Sequence, residues 1–148
     1  MKKLSSLLLI LLAGVSGYYV MAQCNSFNKK TCMPELKEYT HNGQYNSTVL
    51  SPGETAELEM TLFSDNDYRI VVCGQEVLGD LLYKITDESG KVVFDNKDHQ
   101  MAKLWDFSVQ STQKLTIEVT VPPGKKSANE LTVNGCASVL VGFKEKKK

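Results

Sequence analysis

Apolar and polar residues alternate along most of the chain after residue 54, as a β-strand with one buried face requires. Between residues 114 and 121, apolar residues occupy the odd positions, whereas lysine, threonine and glutamate occupy the even positions. Five other segments repeat the pattern, with apolar positions at Ala56, Leu58, Met60 and Leu62; Tyr68, Ile70 and Val72; Leu81, Tyr83 and Ile85; Trp105, Phe107 and Val109; and Val139, Val141 and Phe143. Together with shorter segments at 92–94 and 131–133, the alternation predicts about eight strands that bury these positions in one core.

Residues that favour tight turns separate the predicted strands. Gly, Pro, Asn, Asp and Ser cluster at 51–53, 64–67, 88–90, 122–124 and 134–135, and these residue types supply the fixed or positive φ that chain reversals need. Apolar residues do not follow a long helical spacing, although short helical turns are predicted at 34–39 and 99–103. The predicted fold class is therefore all-β, an antiparallel β-sandwich or jelly-roll-like domain.

The first 22 residues resemble an export signal in composition. Lys2 and Lys3 precede an apolar stretch at 4–15 that is too short to span a membrane, and the residues at 20–22 predict cleavage before Gln23. We expect residues 1–22 to be a signal peptide and residues 23–148 to form a single β-sandwich domain with a short N-terminal arm and a basic C-terminal tail. Gln23 is larger than the residue that normally precedes a lipid-modified cysteine, which favours a soluble product over acylation of Cys24.

The charge of the chain gives no indication of a nucleic acid partner. The chain has 17 basic and 17 acidic residues, so removal of Lys2 and Lys3 leaves 15 basic residues and a net charge of −2. Binding to a nucleic acid or to an anionic membrane surface would favour a basic excess. No segment after residue 22 is apolar enough to span a membrane. The expected location is the periplasm or the cell exterior.

Four cysteines, Cys24, Cys32, Cys73 and Cys136, indicate a disulfide-stabilised exported domain. Four cysteines allow three pairings. Cys73 and Cys136 both fall at the ends of predicted strands and at positions of polar parity, so we expect a cross-strand bridge between them. Cys24 and Cys32 would then close a short N-terminal loop. A zinc site is the alternative, although no C-x-x-C pair is present.

Two loops are rich in oxygen ligands. Asp65 and Asp67 lie in one loop, and Asp95 and Asp98 lie in the other. Such loops bind Ca²⁺ when they converge. Asp and Asn are also common turn formers, so plain turns are the favoured interpretation. We therefore expect the domain to fold without a metal and to need no cofactor.

Only two histidines are present, which limits acid–base chemistry based on imidazole. His41 precedes an Asn-Gly pair and is predicted to lie in a loop. An enzyme would need a cleft in which His99 combines with Asp95 or Asp98 and a serine. The spacings typical of a nucleophile elbow, a metalloprotease helix or a phosphate-binding loop do not occur. We therefore expect a protein that is not an enzyme.

Four segments between Glu54 and Val121 carry a family resemblance: DYRIVV at 67–72, LYKITD at 82–87, SGKVV at 89–93 and LTIEV at 115–119. Together they resemble the small β-sandwich modules appended to secreted bacterial hydrolases, the pre-peptidase C-terminal type. The resemblance implies a jelly-roll-like, non-catalytic domain that binds or supports another component of the envelope or medium. The cysteines fall outside the usual pattern of that family, and no enzyme domain accompanies the module in this sequence.

These observations lead to one main hypothesis and two alternatives. The main hypothesis is an exported binding or accessory protein with a protein or carbohydrate partner that the sequence does not identify. The first alternative is a secreted hydrolase-like enzyme. The second is a structural subunit of the envelope that polymerises through strand edges, where Leu82 and Leu104 provide apolar residues on nominally polar faces.

Overall fold

The computed structural model describes residues 24–124 and 133–146, which form nine strands and several short helical turns. The strands are β1 (Thr40–His41), β2 (Asn46–Leu50), β3 (Thr55–Leu62), β4 (Asn66–Gly74), β5 (Leu82–Asp87), β6 (Val92–Asp95), β7 (Leu104–Val109), β8 (Gln113–Thr120) and β9 (Gly135–Glu145). The helical turns are Asn28–Cys32, Met33–Leu36, Glu76–Leu78 and Asn96–His99. The predicted fold class, an all-β antiparallel sandwich, is confirmed.

The strands form two antiparallel sheets. In sheet A, β1 and β2 pair with one edge of β9, β4 pairs with the other edge, and β7 pairs with β4. In sheet B the order is β3, β8, β5 and β6. Within the described residues, β3 and β6 are therefore the edge strands of sheet B. On sheet A, the two edges are formed by β7 and by the short strands β1 and β2.

The two sheets enclose one core, built from the alternating positions that the sequence predicts. Ile70, Ile85 and Ile117 come from three different strands and are completely buried. Trp105 is partly buried against this core, and its ring stacks on Phe107 with a centroid distance of 4.0 Å. Trp105 therefore faces the core, as its strand parity predicts.

Residues 24–39 form an arm that covers the outer face of sheet A. Leu36 of the arm packs against Val71 and Leu140, which point away from the core. Leu104 is partly buried in the same second cluster. Sheet A is thus apolar on both faces, which explains why apolar residues occupy positions of polar parity on its strands.

One disulfide joins Cys24 of the arm to Cys136 at the start of β9, with a Cα–Cα distance of 5.5 Å. The predicted pairs, Cys24 with Cys32 and Cys73 with Cys136, are therefore wrong. The register places Ser138, not Cys136, opposite Cys73. Diagonal neighbours on adjacent strands are about 7–8 Å apart, which is too far for a disulfide. The strand parity of Cys73 and Cys136 correctly predicts that both side chains lie on the same face of sheet A. Parity does not determine which residues of two paired strands lie opposite each other.

The observed disulfide bears on location and on lipid attachment. Disulfides form in oxidising compartments, so the bond indicates an exported protein. The sulfur of Cys24 is already bonded to Cys136 and is not available for acylation. The predicted signal peptide at 1–22 lies outside the described residues. Within those residues, no helix is long and apolar enough to cross a membrane.

Two local features differ from the predicted elements, and one predicted strand lies mostly outside the described residues. The alternation does not predict β1, which has only two residues, or β2, whose sequence NSTVL is largely polar. Residues 131 and 132 of the strand predicted at 131–133 lie outside the described residues. Gly135 begins β9 instead of forming a turn, and a Cβ atom there would lie 2.8 Å from the side chains of Val77 and Leu78. Glycine at this position therefore permits close packing.

Candidate binding groove

A groove opens between the two sheets on the side where β2 and β3 face each other, and we call it the open-side groove. It consists of two cavities of about 330 and 540 Å³ that follow β3 from one end to the other. The groove exists because β2 is paired with β9 and β3 is paired with β8, while β2 and β3 are not paired with each other. The sandwich is therefore left open along this side.

The first cavity lies between the middle of β2 and the first half of β3. Ala56 and Leu58 line it from β3, and Ile117 and Val119 of β8 line it from the same sheet. On the opposite side, β2 contributes Asn46 to Thr48, and β9 contributes residues 137–139. The cavity thus has an apolar floor and a rim that includes amide and hydroxyl groups.

The second cavity continues along the end of β3. Met60, Tyr68 and Phe143 are among its lining residues, and the loop between β1 and β2 contributes Asn42 and Gln44. This cavity is the larger of the two and it is also lined mainly by apolar side chains. The two cavities together expose the inward-facing side chains of β3, which are only half-buried until Leu62.

An exposed aromatic residue marks the end of the groove. Phe63 follows β3, lines the second cavity and is 63% exposed, the largest fraction among the exposed apolar side chains of the described residues. Its backbone N–H donates to the hydroxyl of Tyr68 at 3.0 Å, which fixes the position of the chain at this point. Phe63 therefore presents an aromatic ring to solvent from a well-anchored backbone.

The outer edge of β3 presents backbone groups that can form further hydrogen bonds. β3 pairs with β8 through all eight of its residues, and no other strand of the described residues pairs with it. Glu57 and Glu59 project from its exposed face. Glu59 forms an ion pair with Lys114, with 2.6 Å between Oε2 and Nζ. This interaction raises the pKa of Lys114, chiefly through the hydrogen bond to Glu59. The edge is therefore long, regular and acidic.

The structure does not assemble the predicted alternative catalytic group. His99 is exposed at the end of a helical turn and stacks on Phe94 at a centroid distance of 4.6 Å. Asp95 caps the same turn by accepting a hydrogen bond from the backbone N–H of Lys97. In the described part of the chain, His99 forms no side-chain hydrogen bond with Asp95, with Asp98 or with a serine. Its ring stacks on Phe94 instead.

His41, predicted to lie in a loop, instead ends β1, and its Nε2 atom lies 3.2 Å from the carbonyl oxygen of Gln44. Its ring contacts Tyr45 at a centroid distance of 4.8 Å. Tyr45 is 41% exposed in the loop between β1 and β2. The two rings therefore contribute to the surface beside the open-side groove and not to an acid–base pair.

The predicted Ca²⁺ candidates occupy separate structural positions. Asp65 has a φ of 62° in the turn before β4, and Asp67 of β4 accepts a hydrogen bond from the Ser108 hydroxyl. Asp95 and Asp98 belong to the turn after β6. Across residues 24–124 and 133–146, no three His, Cys, Asp or Glu side chains form a group that could hold a metal ion. Folding without a metal stays a prediction.

The two residues of the alternative polymer hypothesis do not form an exposed apolar edge. Leu104 lies on the edge strand β7, but it packs in the cluster beneath the arm. Leu82 lies on β5, which is paired on both sides. The sequence missed the open-side groove because Leu58 and Met60 follow the same alternation as fully buried residues. Phe63, an aromatic residue directly before a turn, was the available signal.

Comparison with known proteins identifies a distant structural match and no family. No family model matches the chain, and no curated protein matches it. A matching solved structure is that of PliG from Aeromonas hydrophila, described as a periplasmic lysozyme inhibitor of g-type lysozyme. The match has a TM-score of 0.49 and 11% sequence identity, and it covers 73% of this chain and 90% of that chain. The resemblance to pre-peptidase C-terminal modules is not confirmed by a family match.

Proposed function

We propose that this chain is an exported, non-catalytic binding protein that holds an extended segment of a partner protein in the open-side groove, alongside β3. One observation carries the proposal: β3 combines an unpaired edge of eight residues with apolar side chains that remain half-exposed in a groove. An added strand would use both features at once.

The backbone of β3 supports strand addition. Long, regular edge strands present unpaired N–H and C=O groups that another chain can pair with, and natural proteins usually shorten, twist or cover such edges. In the described residues, β3 has neither a proline nor a register shift along its pairing with β8. A partner segment would therefore gain a ladder of main-chain hydrogen bonds, the usual source of affinity in this binding mode.

The side chains of the groove support an apolar segment. In an extended segment every second side chain points the same way, so alternate residues would enter the cavities lined by Leu58 and by Met60. The cavity volumes of about 330 and 540 Å³ are within the usual range of ligand-binding pockets, so both cavities have room for side chains of a bound segment. Phe63 supplies an exposed aromatic anchor, a residue type enriched at the energetic centres of interfaces.

Charge favours a segment with basic residues. Glu54 and Glu57 are exposed along the same strand and the turn before it, whereas Glu59 is already paired with Lys114. A basic side chain on the outward face of the added segment would lie beside them. A carbohydrate partner fits less well, because the floor of the groove is aliphatic and the polar groups are confined to its rim.

The lining residues also support a non-catalytic role. Among the described residues, Glu57 and Glu59 line the two cavities and no histidine, cysteine or lysine does. Both carboxylates belong to the exposed face of β3. General acid–base catalysis needs a group with a suitably shifted pKa within reach of a substrate, and this groove is suited to burying side chains instead.

The test is selection of peptides from a random displayed library, followed by titration of synthetic copies into the purified chain. We expect alternating apolar peptides with basic residues to be enriched. Met60→Lys should weaken their binding at least about tenfold, because it places a cation in the apolar floor. The matched control is Val93→Lys on β6, the other edge of sheet B, where the side chain is already 39% exposed. This control should bind like the unmodified chain.

Hydrogen exchange then locates the bound peptide. Strand addition predicts slower exchange at β3 amides and little change at β6. Equal weakening by Met60→Lys and Val93→Lys would contradict the proposal. So would binding of a fluorescent fatty acid in the groove without any peptide binding. Concentration-dependent dimerisation that is lost in Met60→Lys would assign the groove to a second copy of the chain, and would also overturn the proposal.

A further inference from the structure

The two cysteines outside the observed disulfide are neighbours. Cys32 ends the helical turn Asn28–Cys32 of the arm and is completely buried, whereas Cys73 lies on the outer face of β4 and is 8% exposed. Both belong to the packed cluster beneath the arm, with Leu36 and Leu140. We propose that Cys32 and Cys73 form a second disulfide in the exported protein.

The path of the arm explains why these two thiols meet. The first disulfide fixes Cys24 above β9, and β4 is the strand next to β9. From Cys24 the arm continues through its helical turn and brings Cys32 into the same packed cluster as Cys73. Each cysteine of the arm therefore reaches one cysteine of sheet A, on adjacent strands. Because Cys24 is paired with Cys136, Cys32 and Cys73 are the two cysteines that can still pair with each other.

Formation of the bond between Cys32 and Cys73 requires an oxidant of the same kind as the bond between Cys24 and Cys136. A thiolate of one cysteine attacks the disulfide of a dithiol–disulfide oxidant, either a thiol oxidoreductase or oxidised glutathione, and forms a mixed disulfide. The second thiolate then attacks the sulfur of its partner cysteine and releases the oxidant as a dithiol or as two thiols. The cysteines lose two protons and two electrons, and the electrons reduce the oxidant.

The environment of the thiols indicates when the bond forms. The hydrogen bond from Cys73 and burial both raise the pKa of Cys32 far above its ordinary range. Exchange also needs a sulfur atom that the oxidant can reach, and in the folded domain Cys32 and Cys73 are only 0% and 8% exposed. The bond therefore forms before the arm has fully covered sheet A. A chain that folds first in a reducing medium keeps both thiols.

The two cross-links have a joint effect on the arm. The first ties the arm to β9, and the second ties it to β4, so the arm is attached before its first helical turn and at the end of that turn. Cross-links stabilise mainly by restricting the unfolded chain, and the second would close a loop of about 40 residues that contains β1 to β3. Neither cross-link involves β3 or the groove directly.

Peptide mapping of the full chain, exported to a bacterial periplasm, tests the proposal. The chain is denatured with an alkylating reagent and no reductant, then digested with trypsin. Cleavage after lysine and arginine places each cysteine in a different peptide, with Cys32 in 31–37 and Cys73 in 70–84. We expect no alkylated cysteine and a linked pair of these two peptides. A chain reduced beforehand should take up one alkyl group on each cysteine.

Two results would overturn the proposal. One is alkylation of Cys32 and Cys73 in the unreduced sample, and the other is a linked peptide that joins either of them to a different cysteine. A second measurement uses the Cys32→Ala, Cys73→Ala double variant. Reductant should lower the melting temperature of the unmodified chain more than that of the double variant, which retains only the bond between Cys24 and Cys136. Equal decreases would show that the second bond is absent.

Discussion

Arg69 on β4 and Asp106 on β7 lie directly opposite each other and form a two-point ion pair on the outer face of sheet A. Nε donates to Oδ1 at 2.7 Å and Nη2 donates to Oδ2 at 2.5 Å. The third nitrogen, Nη1, donates to the backbone carbonyl of Glu35 at 3.1 Å, and the guanidinium lies over the ring of Tyr39. One buried cation thus connects β4, β7 and the arm.

Removal of the carboxylate at position 106 should destabilise the domain. Arg69 is 8% exposed in the unmodified chain, and in Asp106→Ala its guanidinium loses its charged partner. We expect the free energy of unfolding to decrease by about 2 kcal/mol, below the full cost for a buried pair because the Asp106 side chain is 40% exposed. The control is Glu118→Ala, which removes a half-exposed pair with Lys84 whose cation, unlike Arg69, is well exposed at 41%, and it should cost less than about 1 kcal/mol. Equal losses in urea unfolding would contradict this account.

Acid should destabilise the turn that follows β5. The side-chain oxygen Oδ1 of Asp87 accepts hydrogen bonds from the hydroxyl and backbone N–H of Ser89 and from the backbone N–H of Lys91. These bonds, the one from the Ser89 hydroxyl first, lower the pKa of Asp87 below its usual 3.8. Its contribution is therefore present above about pH 4 and is lost as the pH falls through the lowered value.

Asp87→Asn tests this pH dependence. The variant should lose less stability than the unmodified chain when the pH is lowered from 7 to below 4, as measured by denaturant midpoints at each pH. Glu88→Gln, one residue along the same turn, is the control and should follow the unmodified chain. A variant with an unchanged acid response would show that the hydrogen bonds of Asp87 do not contribute.

A buried amide holds the turn after β6 against the core. Asn96 is 1% exposed, accepts the backbone N–H of Tyr83 at 2.9 Å and donates to the carbonyl of Leu81 at 2.9 Å. Asn96→Ala would leave both backbone groups buried without a partner, so we expect a loss of about 2–3 kcal/mol in denaturant unfolding. Asn42→Ala removes an exposed contact to Gln44 and should cost under about 1 kcal/mol. A small loss for Asn96→Ala would indicate that water replaces the amide.

A methyl group on β9 should displace the arm. A Cβ atom at Gly142 would lie 2.6 Å from the Cβ atom of Tyr39 and 3.1 Å from Leu36. Gly142→Ala should therefore destabilise the domain by about 1–3 kcal/mol and speed hydrogen exchange in the arm. The control is Gly124→Ala, whose Cβ atom would lie 3.8 Å from Pro52 and meet no obstruction. Unchanged exchange in the arm would contradict the proposed contact.

The core was predictable from sequence because its signal is local. The residues at 115, 117, 119 and 121 alternate without interruption, and all four are buried. The burial of the outer face of sheet A was harder to predict from the sequence. Val71 and Leu140 are apolar at positions that alternation assigns to solvent, and only the arm, which has no strand pattern of its own, shows what covers them.

The disulfide and the open-side groove both depend on which strands pair and in which register. The alternation of apolar and polar residues does not contain this information. Parity placed Cys73 and Cys136 on one face correctly, but the register, with Ser138 opposite Cys73, decides which sulfur atoms meet. Similarly, Leu58 and Leu115 have the same pattern of neighbours in sequence. Leu115 lies on a strand paired on both sides and is buried, whereas Leu58 lies on an edge and remains half-exposed.

The position of β9 has a consequence for how the chain acquires its structure during synthesis. Among the nine strands of the described residues, β9 comes last in chain order, yet β1, β2 and β4 all pair with it. Sheet A is therefore complete only once β9 has been made, and the thiol of Cys24 must wait for Cys136. Contacts between distant parts of a chain form slowly. Sheet B pairs β3, β8, β5 and β6 without β9, so its strands can pair before sheet A is complete.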